Sequence, residues 1–112
     1  MKNPKLSIII LNYNTRGLLD NCLDSIKKYI SEVHLEVIVS DNSSTDGSAE
    51  MVREKFPWVT VLVGDNTSYS SGNNRARGIV KGEFILFLNS DTLMHKNTLG
   101  KTVEFIEKSD DV

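Results

Sequence analysis

Apolar residues in this chain gather in short runs, and between the runs they recur at helical spacing. Residues 6–11, LSIIIL, form a β-branched run of strand length. After the polar break Asn12-Tyr13-Asn14-Thr15, the residues Leu18, Leu19, Cys22, Leu23, Ile26 and Ile30 recur every three or four positions. That spacing predicts an amphipathic helix over 16–30, with Thr15 as its N-cap. LEVIVS, 35–40, predicts a second strand, which runs into the turn and capping cluster Asp41-Asn42-Ser43-Ser44-Thr45-Asp46-Gly47. Ala49, Val52 and Phe56 mark the inner face of a second helix, and Pro57 stops it. WVTVLV, 58–63, predicts a third strand, followed by a polar loop over 64–72. A third helix is expected over 71–81, with Ala76, Ile79 and Val80 inward and Gly82 as its stop. FILFLN, 84–89, predicts a fourth strand and reads as fully buried. A last helix, 97–108, turns Leu99, Val103 and Ile106 inward.

Strands therefore alternate with helices four times. Near-continuous apolar strands in that order predict the α/β class: a Rossmann-like, open, mainly parallel sheet with helices on both faces. Right-handed crossovers make it a doubly wound half-fold. At 112 residues the default is one domain with one modest core.

Composition changes this picture little. A net charge of −2 supplies no field that would gather nucleic acid or an anionic membrane surface. No apolar run approaches the roughly 20 residues that span a bilayer. The N-terminus reads as a first strand, since no small-residue cleavage site follows its apolar stretch. Cys22 is the only cysteine, so no intrachain disulfide forms, which fits a reducing, cytoplasmic compartment. Its place in a helical stripe predicts a buried, inert thiol. Asn42-Ser43-Ser44 and Asn66-Thr67-Ser68 match the glycosylation acceptor pattern, which carries no weight without a secretory signal.

The candidate chemistry lies just after the strands. In open parallel sheets ligands bind outside the carboxyl ends, at the point where strand order reverses. Asn12, Tyr13 and Asn14 follow the first strand, Asp41 the second, and Asn89, Ser90 and Asp91 the fourth. The topology predicts that these clusters converge. Neither common phosphate cradle is present: Asn12-Tyr13-Asn14-Thr15-Arg16-Gly17 stands where G-x-G-x-x-G would, and no G-x-x-x-x-G-K-[ST] occurs. A bound phosphate would need another counter-charge. Mg2+ or Mn2+ could supply it, since either takes hard oxygen ligands and needs only one or two carboxylates. Asp91 could be one. It could equally be a turn residue or a helix cap.

Taken together, IIILNYN, VIVSDNSSTDGS, SGNN and GEFILFLNSDT resemble the N-terminal half of the family-2 glycosyltransferases of the GT-A fold, in their rhamnosyltransferase-like branch. The similarity runs from about residue 6 to 108. Each motif is weak alone; four in order are specific. The resemblance implies the N-terminal half of a GT-A nucleotide-diphospho-sugar transferase fold, binding a UDP- or dTDP-linked sugar donor. Asn12 and Tyr13 match positions lining the nucleoside pocket, with Asn14 beside them. Asp41 matches the aspartate that accepts a hydrogen bond from the base, and Asn42, Ser43 and Asp46 share its signature. Gly72, Asn73 and Asn74 match the stretch that approaches the nucleotide. Asn89-Ser90-Asp91 matches the D-x-D-type motif, whose last aspartate ligates the metal. Two departures stand out. Asn89 replaces the first acid, and Ser90 replaces the proline frequent in this branch. Ser68 also stands where the branch often has glycine.

What the resemblance implies further is inverting transfer to a saccharide or lipid-linked acceptor. The general base for that step, and most of the acceptor site, are expected beyond Val112. Glu104, Glu107, Asp110 and Asp111 read as solvated charges. The expectation is a donor-binding portion that binds but lacks its base, with self-association of the piece and peripheral membrane association of a longer protein. His34, His95, Trp58, Arg75 and Arg77 have structural readings: loop histidines, a packing tryptophan and a solvated helix face. The alternative from another class is a non-catalytic sugar-nucleotide-binding or assembly module. A phosphoacceptor receiver domain would want an acidic pair where Asn12 and Asn14 stand.

Overall fold

A computed structural model of the chain describes residues 4–64 and 75–110, without the side chains of residues 32 and 106–110. The four apolar runs form β1 (Leu6–Asn12), β2 (Leu35–Asp41), β3 (Thr60–Val63) and β4 (Phe84–Asn89). All pair in parallel, in the order β3-β2-β1-β4. Of the helices, α1 (Arg16–Lys28), α2 (Ser48–Lys55) and α3 (Thr98–Asp110) lie wholly within the described residues and connect or follow them.

Alternation along each strand decides which residues meet which helices. Leu6, Ile8, Ile10, Val37 and Val39 face the main core, where Leu19, Cys22, Leu23 and Ile26 of α1 meet Val52 of α2 and Leu99 and Val103 of α3. α1, α2 and α3 thus lie on one face. Ile9 and Ile38 point the other way, against Ala76, with Leu62 and Val80 alongside. The chain steps from β1 to β2 to β3 on one side and then returns across the opposite face to β4. That reversal places the switch point between β1 and β4.

Several sequence expectations need correction. The first helix stops at Lys28, and Ile30 falls in a 3-10 turn, Ile30–Glu32. Leu18 is 48% exposed, because the core takes only the narrower stripe of Leu19, Cys22, Leu23 and Ile26. The third strand begins at Thr60 rather than at Trp58. A turn after Pro57, closed by the Val59 N–H on the Phe56 carbonyl, sets Trp58 edge-on against Phe56. Of the expected helix over 71–81, residues 71–74 lie outside the described residues, 75–77 are helical and a turn follows at 78–79. Ile79 is therefore exposed. Gly82 is no helix stop. It crosses over β1 so closely that a Cβ there would meet the Ser7 nitrogen at 2.5 Å.

The fourth strand is not fully buried. Phe84, Leu86 and Leu88 turn toward the core, while Ile85 and Phe87 are each 38% exposed. Among the described residues β4 pairs only with β1, so it forms a sheet edge.

Candidate functional site

The carboxyl ends of β1, β2 and β4 meet as the topology predicts. Asn12 and Asp41 are paired in register and buried. Asn12 Nδ2 donates to Asp41 Oδ1 at 2.8 Å and lies 3.3 Å from Ser44 Oγ. Ser44 donates its hydroxyl to the same Asp41 oxygen at 2.6 Å and its N–H to Asp41 Oδ2 at 2.9 Å. Asp41 is only 1% exposed and accepts three protein hydrogen bonds.

The loops after β1 and β2 are laced together. Asn14 lies in the left-handed region at φ 52°, and its Oδ1 accepts the Thr45 N–H at 2.7 Å. The Asn14 N–H donates to Ser44 Oγ at 2.9 Å. Asp46, read as a possible cap for the second helix, serves two helices. Its Oδ2 accepts the Arg16 N–H at the start of α1, and its Oδ1 accepts the N–H and hydroxyl of Ser48 at the start of α2. Gly47, at φ 82°, takes the cap position of α2 itself. Partial burial pushes the Asp46 carboxyl up, but the bonds from Ser48 and Arg16 outweigh it and hold the group below the usual carboxylate range. Ser43, at φ 58°, donates to the Gly64 carbonyl at 2.6 Å. Tyr13 is 47% exposed at the mouth of the cluster.

At the end of β4 the groups are more open. Asn89 and Asp91 are exposed and Ser90 is half-buried. The Thr92 N–H closes a turn on the Asn89 carbonyl at 3.1 Å. The Asp91 carboxylate accepts no hydrogen bond from the described residues, and α3 starts seven positions later. A capping role is thereby excluded among those residues. Its charge reaches the core as far as Cys22, whose thiol is pushed up to about 11 by burial first and by Asp91 second. Cys22 is the buried, protonated thiol that its helical stripe predicts.

Three residues matter more than sequence reading allows. Thr15 holds the cap position of α1 without a side-chain cap. Its hydroxyl donates instead to Asn12 Oδ1 at 2.6 Å and lies 2.8 Å from Ser90 Oγ. Ser44 is the hub beneath Asp41; the D-x-x-S spacing of a capping-type turn is the one sequence cue to it. Arg75, expected on a solvated face, is half-buried and donates to Ser40 Oγ at 2.7 Å and to Asn42 Oδ1 at 3.3 Å. Arg77 lies over the Phe87 ring. His95 lines a separate cleft of about 370 Å3 with Asp24, Lys28 and Tyr29 of α1's flank. Gly72, Asn73 and Asn74 lie outside the described residues.

The donor set at the end of β4 suits a hard divalent cation: one exposed carboxylate, a hydroxyl and an amide, all oxygen donors. Among the described residues no group of three or more His, Cys, Asp or Glu could hold a metal alone. Such a cation would need ligands from water and a bound phosphate.

The sequence model of glycosyl transferase family 2 matches residues 7–112. The chain belongs to glycosyl transferase family 2. It is 33% identical over 111 residues to the poly(ribitol-phosphate) beta-glucosyltransferase of Bacillus spizizenii, covering 94% of this chain and 18% of that protein. The mannosyltransferase PcManGT of Pyrobaculum calidifontis, solved with GDP-Man and Mn2+, superposes with a TM-score of 0.79 at 27% identity, covering 95% of this chain and 33% of the other. Staphylococcus aureus TarS 1–349 in complex with UDP-GlcNAc superposes with a TM-score of 0.74 at 30% identity, covering 93% and 31%. This chain thus spans a third or less of each of these proteins. The open, parallel, Rossmann-like sheet is that of the GT-A glycosyltransferases.

Proposed function

We propose that the chain is the donor-binding portion of a metal-dependent, inverting glycosyltransferase, near the rhamnosyltransferase-like branch, that takes a sugar from a UDP- or dTDP-linked donor to a saccharide or lipid-linked acceptor. The observation carrying this reading is the contrast between two aspartates at the ends of β2 and β4, the strands on either side of β1. Asp41 is fixed and buried; Asp91 is exposed and accepts no hydrogen bond from the described residues.

Each carboxylate has about four lone-pair sites. Protein donors fill three on Asp41, two at Oδ1 and one at Oδ2. One position on Oδ2 remains for the imide N–H of a uracil or thymine, a charge-assisted hydrogen bond. Tyr13, exposed beside it, offers a ring face to the base. Asp91 and Ser90 lie where a diphosphate would extend from such a nucleoside toward β4. When bound there, Mg2+ or Mn2+ would offset charge on the diphosphate leaving group. Asn89 in place of an acid leaves one carboxylate for the cation, which supports a site completed by the donor itself. The relatives' names support the reading: TarS binds UDP-GlcNAc, and PcManGT binds GDP-Man and Mn2+.

Calorimetric titration of the chain with UDP- and dTDP-sugars, with and without MnCl2, tests the proposal. Heat of binding is expected for the matched nucleotide. Asp91→Ala should weaken binding about tenfold in the presence of Mn2+ and little in its absence. No heat at millimolar ligand from a folded sample rejects the reading.

A further inference from the structure

Ser90, Thr15, Asn12 and Asp41 form an unbroken hydrogen-bonded chain across the ends of β4, β1 and β2. Its direction follows from proton counting. A hydroxyl has one proton to give. Thr15 gives its proton to Asn12 Oδ1 at 2.6 Å. The 2.8 Å contact between Thr15 Oγ1 and Ser90 Oγ is then a bond donated by Ser90. Asn12 Nδ2 passes the sequence on to Asp41 Oδ1. Every donor points toward the buried carboxylate, an arrangement in which each bond polarises the next.

Two consequences follow. Ser90 has spent its proton, so only its lone pairs remain free. It can face a cation or the water around one; it cannot donate to a phosphate oxygen without breaking the chain. The turn carrying Asp91 is also held to the same network that fixes Asp41. On the donor-binding reading above, we propose that Thr15 is a positioning residue, and that the Ser90–Thr15–Asn12–Asp41 chain couples the binding of a divalent cation at Asp91 to that of the nucleotide base at Asp41.

Linkage makes such coupling measurable as a single factor, the ratio of UDP dissociation constants without and with Mn2+. The experiment titrates UDP into wild type, Ser90→Ala, Thr15→Val and Thr15→Ser, each with and without MnCl2, with circular dichroism to confirm folding. Mn2+ is expected to tighten UDP binding to wild type. In Ser90→Ala and Thr15→Val the tightening factor should fall about fivefold, the equivalent of one lost hydrogen bond. Thr15→Ser keeps the hydroxyl and should restore it. The loss in Ser90→Ala and Thr15→Val should fall on the Mn2+-dependent tightening factor and not only on metal-free UDP affinity, a split that a merely destabilised site would not show. If Thr15→Val does not fold, Ser90→Ala decides alone. Full tightening in Ser90→Ala overturns the inference, as does a wild type that binds UDP with no response to Mn2+. So does failure of Thr15→Ser to restore the factor lost in Thr15→Val. A folded wild type that binds no UDP under either condition overturns the donor-binding reading and this inference with it.

Discussion

Asp46 shows how much one residue can depend on partners that sequence does not place beside it. It lies in a cluster of turn residues, where capping the helix that follows is the local expectation. That expectation holds for the Ser48 N–H. The second task, accepting the Arg16 N–H thirty positions away, depends on the β1 and β2 ends lying side by side. Because its folded carboxyl is held below 3.8, the stability it contributes is present above the unfolded value and is lost as pH falls through the folded one. Urea unfolding followed from about pH 6 to about pH 3 should therefore show a shallower acid loss in Asp46→Asn than in wild type. Equal slopes would remove Asp46 from the account. Asp91 makes the opposite case. Its sequence neighbours allow a turn, a cap or a ligand, and only its exposure and the lack of a hydrogen bond to its carboxylate among the described residues favour the ligand.

Elements were legible where periodicity was strong. The four strands and the faces of α1, α2 and α3 follow from apolar spacing, which local geometry enforces. Ends were less legible. The 3-10 turn Ile30–Glu32 ends the helical stripe early, and the late start of β3 goes with Phe56 and Trp58 packing edge-on, a contact that the run WVTVLV does not encode. Gly82 is the clearest example. Its place after an apolar stretch suggests a helix stop, yet its lack of a side chain serves the crossing over Ser7, where its N–H also donates to Ser7 Oγ at 2.7 Å. Gly82→Ala should cost about 1–3 kcal/mol through overpacking against backbone. Gly78→Ala is the control, since a Cβ there meets only the Arg75 carbonyl at 3.6 Å, an ordinary contact. Chemical denaturation of both variants checks the pair, and equal costs would contradict the close approach at Gly82.

At the scale of the whole molecule the sheet is covered unequally. Among the described residues α1, α2 and α3 take one face, while 75–80 supply the cover on the other. Ile85 and Phe87 stand partly open there, on a strand with one unpaired edge among those residues. Such an edge with apolar side chains favours pairing between chains. Sedimentation velocity over a concentration series should show reversible self-association of the 112-residue chain, reduced in Ile85→Lys. A concentration-independent monomer would count against that face as the contact. The sequence by itself determined the α/β alternation, the parallel sheet and the polar character of the strand ends, because each is written in spacings of a few residues. Strand order was left to the tertiary structure, and with it the edge position of β4 and the pairing of residues distant in the chain. Thr15 and Ser90 lie 75 positions apart and share a hydrogen bond only because β1 and β4 are neighbours. That adjacency turns two ordinary hydroxyls into a link between the buried Asp41 cluster and the turn that carries Asp91.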